Sequence, residues 1–339
     1  MPRKTFKKII VTDELLGKVN PKNKKLQDSF IRIKSTTSSA TTTTSYSSDL
    51  DIFFCWNLLE NDNKFFVDIR KIELADFFAY ATEKLQWKSA RFGRMRACLS
   101  SFSNFIENYY DDDYPQFRNI ILKTIEPMPK VAAREKTILS EEQIENLKQF
   151  LLEHKRYQGL CFLMLGICSG ARISEILRFR MSDIDEENTA FNGLFLKTKN
   201  MIKTKGRTKE GKMLYKYILK DDFLPYYHLW LEERAKIMEE KGKSHDYIFI
   251  DRNGDIPTDG VARGWYDDWD TVLGVPFYAH SLRHYIVTHM LRLGMEVDFV
   301  VSVNGWASSE MAKIYSDISD DERNWKGLDK LKDYVEKNK

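Results

Sequence analysis

Apolar residues recur at helical spacing through the first third of the chain. Within 90–109 they fall three or four positions apart, and similar spacing runs through 50–58 and 72–82. A period near 3.6 residues places such side chains on one face of a helix, which then needs a core to cover it. The pattern therefore predicts an all-helical region from about residue 20 to residue 128.

A Ser/Thr-rich stretch, 35–48, precedes the first of these patterns. Its composition is typical of a flexible linker. It runs, however, through Tyr46 directly into Leu50 and Phe53, and a Ser or Thr hydroxyl is a good cap for the start of a helix. We favour a hydroxyl-capped helix here over a disordered linker.

The rest of the chain mixes helices with a short β region. Pro127 and Pro129 are followed by Ser140-Glu-Glu-Gln, which has the pattern of a helix start with Ser140 as the cap, so we place a domain boundary here. Further helices are predicted at 161–169, 173–179 and from 281 onward, with breaks at Gly170, Gly294 and Gly305. Alternating apolar residues and glycine turns predict a β-hairpin at 191–219, with its turn bracketed by Gly206 and Gly211 and its second strand at 213–219.

These patterns predict two folded domains, which suits a chain of 339 residues that is 42% hydrophobic. The second domain ends in an amphipathic helix whose apolar stripe needs a groove, either on a neighbouring protomer or on its own domain. The predicted parts are a basic N-terminal tail (1–18), a helical domain (19–128), a linker (129–138) and a second domain (139–339) with a C-terminal helix (320–339) that carries Trp325, Leu328, Leu331 and Val335.

Two classes of protein are not indicated. No stretch approaches the ~20 apolar residues of a membrane span, and the first ten residues lack the apolar segment of a secretory signal, so we expect a cytoplasmic protein that does not contact membranes. The cysteines lack CxxC spacing and lie in apolar surroundings, which predicts buried, reduced thiols rather than a disulfide framework or a zinc site. They are Cys55, Cys98, Cys161 and Cys168.

Charge is distributed unevenly along the chain, although the net charge is only +3. Residues 1–34 contain ten Lys or Arg against three acids, and residues 197–220 contain nine against Glu210 alone. Such runs repel themselves unless they face a polyanion or solvent. Either run taken alone is consistent with both interpretations.

Four separate segments of the second domain carry candidate chemistry. Each alone has an ordinary structural explanation, since an Arg at a helix start is usually a surface residue and a Tyr near a C-terminus usually belongs to a core. The segments are Ser169-Gly-Ala-Arg-Ile-Ser-Glu-Ile, the hairpin around Lys203–Lys212, His280-Ser-Leu-Arg-His284, and Asn304-Gly-Trp-Ala followed by Tyr315.

In this order and at these intervals the segments resemble the tyrosine recombinase and phage integrase family, over roughly residues 138–320. That family reads Gly-x-Arg-x-Ser-Glu-Leu, a hairpin lysine, His-x-Leu-Arg-His, Gly-His/Trp and Tyr. More loosely, the segments beginning at Thr43 and Ala90 resemble the core-binding domain of gram-positive phage integrases. The resemblance implies an all-α, SAM-like core-binding domain followed by a mainly helical α+β catalytic domain with a small β-sheet or hairpin.

The resemblance also implies roles for individual residues in cutting DNA. Arg172 and Arg283 suit the non-bridging oxygens of a phosphodiester because planar guanidinium groups donate two hydrogen bonds at once. Tyr315 is the implied nucleophile, and His280 its general base or orienting residue. Trp306 stands where the family more often has His and keeps one N–H donor.

A lysine of the hairpin is implied as the proton donor to the leaving 5′-oxygen. Lys209-Glu-Gly-Lys resembles the Lys-Thr-Gly-Lys hairpin of many integrases, so we choose Lys209, with Lys205 and Lys203 as alternatives. His284 matches the second His of the family string and either buttresses the site or belongs to the core. No metal or cofactor is expected, since arginines can stabilise the charge.

Further residues are candidates for binding the DNA backbone. One helix interleaves basic with apolar residues, as expected of a helix with one face on phosphate and one in a core, although a plain amphipathic surface helix would look the same. The hairpin lysines add to this set. The DNA-binding candidates are Lys88, Arg91, Arg94, Arg96, Lys203 and Lys205.

The sequence therefore predicts a site-specific recombinase that integrates or excises a mobile element through a 3′-phosphotyrosyl intermediate. Its expected partners are double-stranded DNA at a specific site, three further copies in a homotetramer on paired sites, and an accessory directionality factor. A type IB-like topoisomerase and a non-catalytic DNA-binding protein on a recombinase scaffold remain the alternatives.

Overall fold

The computed structural model describes residues 11–129, 139–204 and 211–305, and these form two compact units, 11–129 and the bulk of 139–305. The first unit is helical. Its helices are α1 (Asp13–Lys18), α2 (Pro21–Thr37), α3 (Ala40–Glu60), α4 (Lys71–Glu83), α5 (Ser89–Tyr109) and α6 (Ile121–Thr124), with a 3₁₀ turn at Phe66–Asp68. The expectation of helices in this region is confirmed, and the segment predicted as a linker falls mostly outside the described residues.

The Ser/Thr-rich stretch is helical on both sides of one break. Its first residues finish α2, and Ser39 then caps α3 by accepting a hydrogen bond from the Thr42 backbone N–H at 3.3 Å. The prediction of a hydroxyl-capped helix is therefore confirmed. Aromatic rings fill the core beneath α3, with Phe53 and Phe77 in edge contact at 4.9 Å between ring centres.

The second unit packs helices around one buried helix and attaches two small antiparallel sheets. The helices are α7 (Glu141–Glu153), α8 (Tyr157–Ser169), α9 (Ile173–Ile176), α10 (Lys220–Lys241), α11 (Asp259–Arg263), α12 (Tyr266–Leu273), α13 (Ala279–Arg292) and α14 (Val297–Val303), with a 3₁₀ turn at Met181–Asp183. The strands are β1 (Thr189–Ala190), β2 (Phe195–Lys197), β3 (Ile202–Thr204), β4 (Lys212–Leu214) and β5 (Tyr217–Leu219). One sheet has the order β1-β2-β5, with Leu196 opposite Ile218, and the other pairs β3 with β4.

Helix α8 is the centre of this unit, because all its residues from Gly159 to Ser169 are buried. Helix α13 lies close against it: a Cβ added to Gly166 would come within 2.5 Å of Leu282 Cδ1. A glycine at this position therefore sets the distance between α8, whose end leads into the turn with Arg172, and α13, which carries Arg283. The predicted cap at Ser140 is confirmed, since Ser140 and Gln143 form reciprocal hydrogen bonds at the start of α7.

Two predicted elements are shorter than expected. Helix α9 ends at Ile176 instead of continuing to Phe179, because the N–H groups of Arg178 and Phe179 donate to carbonyls three residues back, at 3.0 and 3.2 Å, instead of four. The Phe179 carbonyl then accepts the Ile248 N–H at 3.0 Å. The predicted strand 213–219 divides into β4 and β5. Between the two strands, the backbone of Lys216 forms hydrogen bonds with Thr198, one of them to the Thr198 hydroxyl, and the regular β-sheet hydrogen bonding is interrupted.

Two expectations from composition can be compared with the described residues. All four cysteines are buried free thiols, as predicted. Among the described helices, none combines the length and the apolar composition needed to cross a bilayer. The C-terminal helix predicted at 320–339 lies outside the described residues.

Candidate active site

Arg172 lies at the turn that joins α8 to α9. Gly170 ends α8 with a left-handed backbone (φ +57°), and a side chain there would overlap that of Asn304. Two residues later, the Arg172 N–H donates to Glu175 Oε2 at 3.1 Å and its Nη1 donates to Glu175 Oε1 at 2.7 Å. The Arg172 side chain is 23% exposed, so it stays accessible while its carboxylate partner is buried.

The Glu175 carboxylate has a second cationic partner, Lys216, whose Nζ lies 2.8 Å from Oε2. Both side chains are almost fully buried. Burial disfavours the ionised carboxylate, but Lys216 and Arg172 outweigh it and hold the pKa of Glu175 at about 2. Burial lowers the pKa of Lys216, and the positive charges of Arg283 and Arg172 add to that effect against the attraction of Glu175.

Sequence reasoning missed Lys216 because no motif contains it. A signal was nevertheless present in the strand pattern. Lys216 is two residues before Ile218, and alternate residues of a strand face the same side. Both are buried, whereas Tyr215 is exposed. A lysine at an inward-facing strand position requires a buried anionic partner, which here is Glu175.

Arg283, on α13, is the second arginine of the site and is only 1% exposed. Its Nη1 donates to the Gly170 carbonyl at 2.6 Å, and its Nη2 donates to the Asn304 carbonyl at 3.4 Å. These bonds tie the turn before Arg172 to the end of α14, two residues before Trp306. The structure thus brings together two of the motifs that the sequence analysis combined, and the beginning of a third.

These residues form a positively charged cluster. Arg172, Arg283 and Lys216 bear three positive charges, and Glu175 compensates one of them. Arg283 and Arg172 both act on the Lys216 ammonium, so each of them lies within electrostatic range of it. An excess of charge in a partly dehydrated site favours an anion such as a phosphodiester.

The histidines of the site lie on α13. His280 is exposed in the first helical turn, and because it is three residues from Arg283 the two occupy neighbouring positions on one helix face. His284 is half-buried. His289 turns to another partner, with Nδ1 3.1 Å from Glu141 Oε1. Within the described ranges no group of three His, Cys, Asp or Glu residues is placed to hold a metal ion.

Four predicted site residues, Lys205, Lys209, Trp306 and Tyr315, lie outside the described residues. Lys203 is described: it is exposed on β3, and its carbonyl accepts a hydrogen bond from Arg178 Nη1 at 2.9 Å. The assignments of these residues stay predictions.

Comparisons with known proteins agree with this architecture. The model of the phage integrase family matches residues 137–322, more than half of the chain. The protein belongs to the phage integrase family. The matched range contains every catalytic candidate from Arg172 to Tyr315 and agrees with the range of the motif resemblance.

Individual relatives extend the likeness to the first unit. The SPbeta prophage-derived recombinase-like protein YomM of Bacillus subtilis is 25% identical over 293 residues, which are 84% of this chain and 83% of YomM. A tyrosine recombinase of Pseudothermotoga lettingae is 24% identical over 83% of this chain and 89% of its own.

Solved structures support the fold of this integrase-family chain. The Tn1549 transposon integrase in complex with transposon right-end DNA gives a TM-score of 0.64 at 14% identity, covering 91% of this chain and 99% of that one. The XerH recombinase bound to its palindromic difH substrate gives 0.63 at 17% identity, covering 90% and 83%. The predicted fold class is confirmed, with a helical first unit and a mainly helical second unit.

The basic residues of α5 differ in whether their side chains already bind other groups of the first unit. Arg91 and Arg94 both pair with Asp49, which is fully buried: Arg91 Nη1 lies 2.8 Å from Oδ1, and Arg94 contacts both oxygens at 3.0 and 3.1 Å. Arg91 also lies over the Trp87 ring. Arg96 donates to the carbonyls of two residues near α6, Leu122 and Ile125.

Lys88 and Arg94 remain the accessible members of this set, since both are exposed. Arg94 borders a shallow groove whose other walls are the outer face of α3, a surface that sequence reasoning did not single out. The groove is lined by Ala40, Thr41, Thr44, Ser45, Ser48 and Arg94. The signal was the spacing of hydroxyl residues at three and four positions, which places them on one face of the helix.

Replacing Glu175 with Gln should reduce stability in a pH-dependent way. The carboxyl pKa falls from 4.5 to about 2 on folding, so ionised Glu175 stabilises the fold fully above about pH 4.5 and loses this effect as the pH falls toward 2. The change corresponds to roughly 3 kcal/mol at neutral pH. We expect the difference in unfolding free energy between wild type and Glu175→Gln, measured by urea titration, to shrink between pH 5 and pH 3.

The matched control is Glu142→Gln, which removes an exposed carboxylate from the first turn of α7. It should leave the unfolding free energy nearly unchanged throughout this pH range. A difference for Glu175→Gln that stays constant from pH 7 to pH 3 would contradict the assigned ionisation.

Proposed function

We propose that this phage integrase family protein cuts and rejoins DNA at a specific site through a covalent bond between Tyr315 and a 3′-phosphate. The observation that carries the proposal is the cluster in which Arg172 and Lys216 bind the Glu175 carboxylate and Arg283 lies within electrostatic range of Lys216. Its excess positive charge suits one phosphodiester. An intermediate with extra charge on the non-bridging oxygens would be stabilised further.

The reaction assigned to this site is a transesterification. The Tyr315 oxygen forms a bond to phosphorus while the bond from phosphorus to the 5′-oxygen breaks. The phenol proton passes to His280, and Lys209, or alternatively Lys203 or Lys205, gives a proton to the leaving 5′-oxygen. Attack by a 5′-hydroxyl on the phosphotyrosine reverses these steps, so rejoining needs no ATP.

Arg172 and Arg283 would hold the two non-bridging oxygens throughout, with Trp306 donating one further hydrogen bond through its indole N–H. Arg283 is fixed by two backbone carbonyls, one of them two residues from Trp306. Fixing donors before the substrate binds lowers the reorganisation that the transition state requires. His284, half-buried on the same helix, would support this arrangement.

DNA would be bound by both units. On the first, Lys88 and Arg94 supply accessible positive charge, while the hydroxyl face of α3 lets a helix approach the duplex closely and offers groups that both donate and accept hydrogen bonds. Arg91 and Arg94 would share Asp49 as a support. On the second, the hairpin residues Lys203 and Lys205 would contact the backbone near the cut.

Assembly follows from the reaction, since exchanging two duplexes needs four strand cuts. We propose a homotetramer on paired sites, in which the helix predicted at 320–339 links protomers or covers its own domain. One solved structure with a similar fold is that of a lambda integrase tetramer bound to a Holliday junction. An accessory protein would set the direction of integration or excision of a mobile element.

Tyr315→Phe should abolish the covalent adduct and leave DNA binding nearly unchanged, because the hydroxyl is the nucleophile and the phosphate contacts come from other residues. The measurement is gel separation of protein–DNA adducts formed on a nicked suicide substrate. Tyr334→Phe is the control and should form the adduct normally. An adduct formed by Tyr315→Phe would assign the nucleophile elsewhere, and relaxation without strand exchange by the wild type would indicate a topoisomerase.

Lys88→Ala should reduce the salt dependence of DNA binding, since each phosphate contact contributes about 0.9 to the slope of log affinity against log salt. Arg96→Ala is the matched control on the same helix. Its guanidinium is bound to carbonyls of Leu122 and Ile125, so it should lower thermal stability and leave the slope unchanged. Equal slopes for wild type and Lys88→Ala would remove Lys88 from the interface.

A further inference from the structure

We propose that Lys216 is a positioning residue for Arg172: by holding one oxygen of the Glu175 carboxylate, it limits Glu175 to a single hydrogen bond with the Arg172 guanidinium. The remaining donors of that guanidinium are then available to the DNA phosphate. The inference rests on the proposed function, because the position of Arg172 matters for cleavage only if Arg172 contacts the phosphate that is cut.

The geometry around Glu175 divides its two oxygens between different donors. Oε1 accepts from Arg172 Nη1 at 2.7 Å. Oε2 accepts from Lys216 Nζ at 2.8 Å and from the Arg172 backbone N–H at 3.1 Å. A carboxylate next to an arginine otherwise tends to accept two parallel bonds from the guanidinium. With Oε2 occupied, among the described residues the Arg172 side chain is held through Nη1 alone.

Lys216 is placed to act on Arg172 through Glu175. Its Nζ lies 2.8 Å from Glu175 Oε2, and its side chain is 2% exposed. Its backbone is also fixed, because Thr198 donates its N–H to the Lys216 carbonyl at 2.9 Å and accepts the Lys216 N–H on Oγ1 at 3.0 Å. The ammonium is therefore held in one place from both ends of the residue.

An electrostatic role explains why a charged residue occupies this position. Moving an ammonium group into a protein interior costs several kcal/mol, and an apolar residue of similar volume often gives equal or greater stability. Ile218, two residues along on the same side of the strand, is such an apolar anchor and is fully buried. A purely structural anchor at Lys216 would be served as well by Met or Leu.

Removing the ammonium should change how Glu175 binds Arg172. With Lys216→Met, the carboxylate is left with Arg172 as its cationic partner among the described residues, and Oε2 becomes available to the guanidinium. Arg172 would then be held by two bonds and directed away from the phosphate. The cluster of Arg172, Arg283, Lys216 and Glu175 would also lose one of its two excess positive charges.

The alternative is that Lys216 only fastens the β4–β5 segment to α9. The two explanations differ in the effect of a second substitution. If Lys216 restrains Glu175, replacing Glu175 with a neutral amide should relieve part of the damage caused by Lys216→Met. If Lys216 only anchors this segment, replacing Glu175 as well removes the remaining partner of the ion pair and does not restore the cleavage rate.

The experiment measures the single-turnover rate of adduct formation on a nicked suicide substrate by the full chain, together with DNA affinity. We expect Lys216→Met to slow cleavage by roughly 10- to 100-fold, at or below the effect of losing one transition-state donor outright, and to change affinity by less than about threefold, since most phosphate contacts lie elsewhere. Lys216→Met/Glu175→Gln should cleave at least about fivefold faster than Lys216→Met, because the amide holds Arg172 more weakly.

Lys220→Met is the matched control, since this lysine of the same chain segment binds the Glu186 carbonyl away from the cluster. It should cleave within about threefold of wild type, as expected for a surface substitution. The double variant, which removes both buried charges, keeps the test decisive if Lys216→Met alone folds poorly: a double variant slowed as severely as an Arg172→Ala variant overturns the proposal.

Two further results would overturn it: cleavage by Lys216→Met at the wild-type rate, or a double variant no faster than a folded Lys216→Met. A wild-type protein that binds DNA but forms no adduct would instead refute the proposed function. That outcome is separate, because it is seen before any variant is compared.

Discussion

The carboxylate of Glu175, which lies on α9 and is bonded to Lys216 in the segment joining β4 to β5, is the group on which the candidate site depends. An ionised carboxylate in a protein interior is costly unless cations and hydrogen bonds compensate it. Arg172 and Lys216 supply that compensation and hold its pKa at about 2. In return, the carboxylate fixes Arg172 at the beginning of a helix of only four residues, where the backbone alone would give little restraint.

Arg283 provides the second fixed point. Its bonds to the carbonyls of Gly170 and Asn304 connect the end of α8 with the end of α14, and the close contact of Gly166 with Leu282 sets the distance between α8 and α13. The two arginines are therefore held by one continuous set of packed elements. This arrangement suits the proposed cleavage reaction, in which several cationic donors would act on one phosphate.

The sequence predicted the helical first unit, the cap at Ser39 or a neighbouring hydroxyl, and the residues Arg172 and Arg283, because each depends on local spacing or on a motif. It did not predict Lys216, whose importance arises from a contact 41 positions away along the chain. It overestimated the lengths of α9 and of the last strand, since Phe179 and Lys216 form hydrogen bonds with distant residues that local periodicity does not reveal. The DNA-binding assignments of Arg91 and Arg96 stay predictions, and local spacing did not reveal that their guanidinium groups contact Asp49 and two carbonyls of their own unit.

We propose that Arg172 and Arg283 bind the same phosphate while Glu175 holds Arg172 through its Nη1. The most direct measurement is a structure of the Tyr315→Phe protein bound to its uncut DNA site. We expect guanidinium nitrogens of both arginines at about 2.7–3.0 Å from non-bridging oxygens of the same phosphate, with Lys216 still bonded to Glu175. Arginines that contact different phosphates, or an Arg172 bound through two bonds to Glu175 and turned away from the DNA, would contradict it.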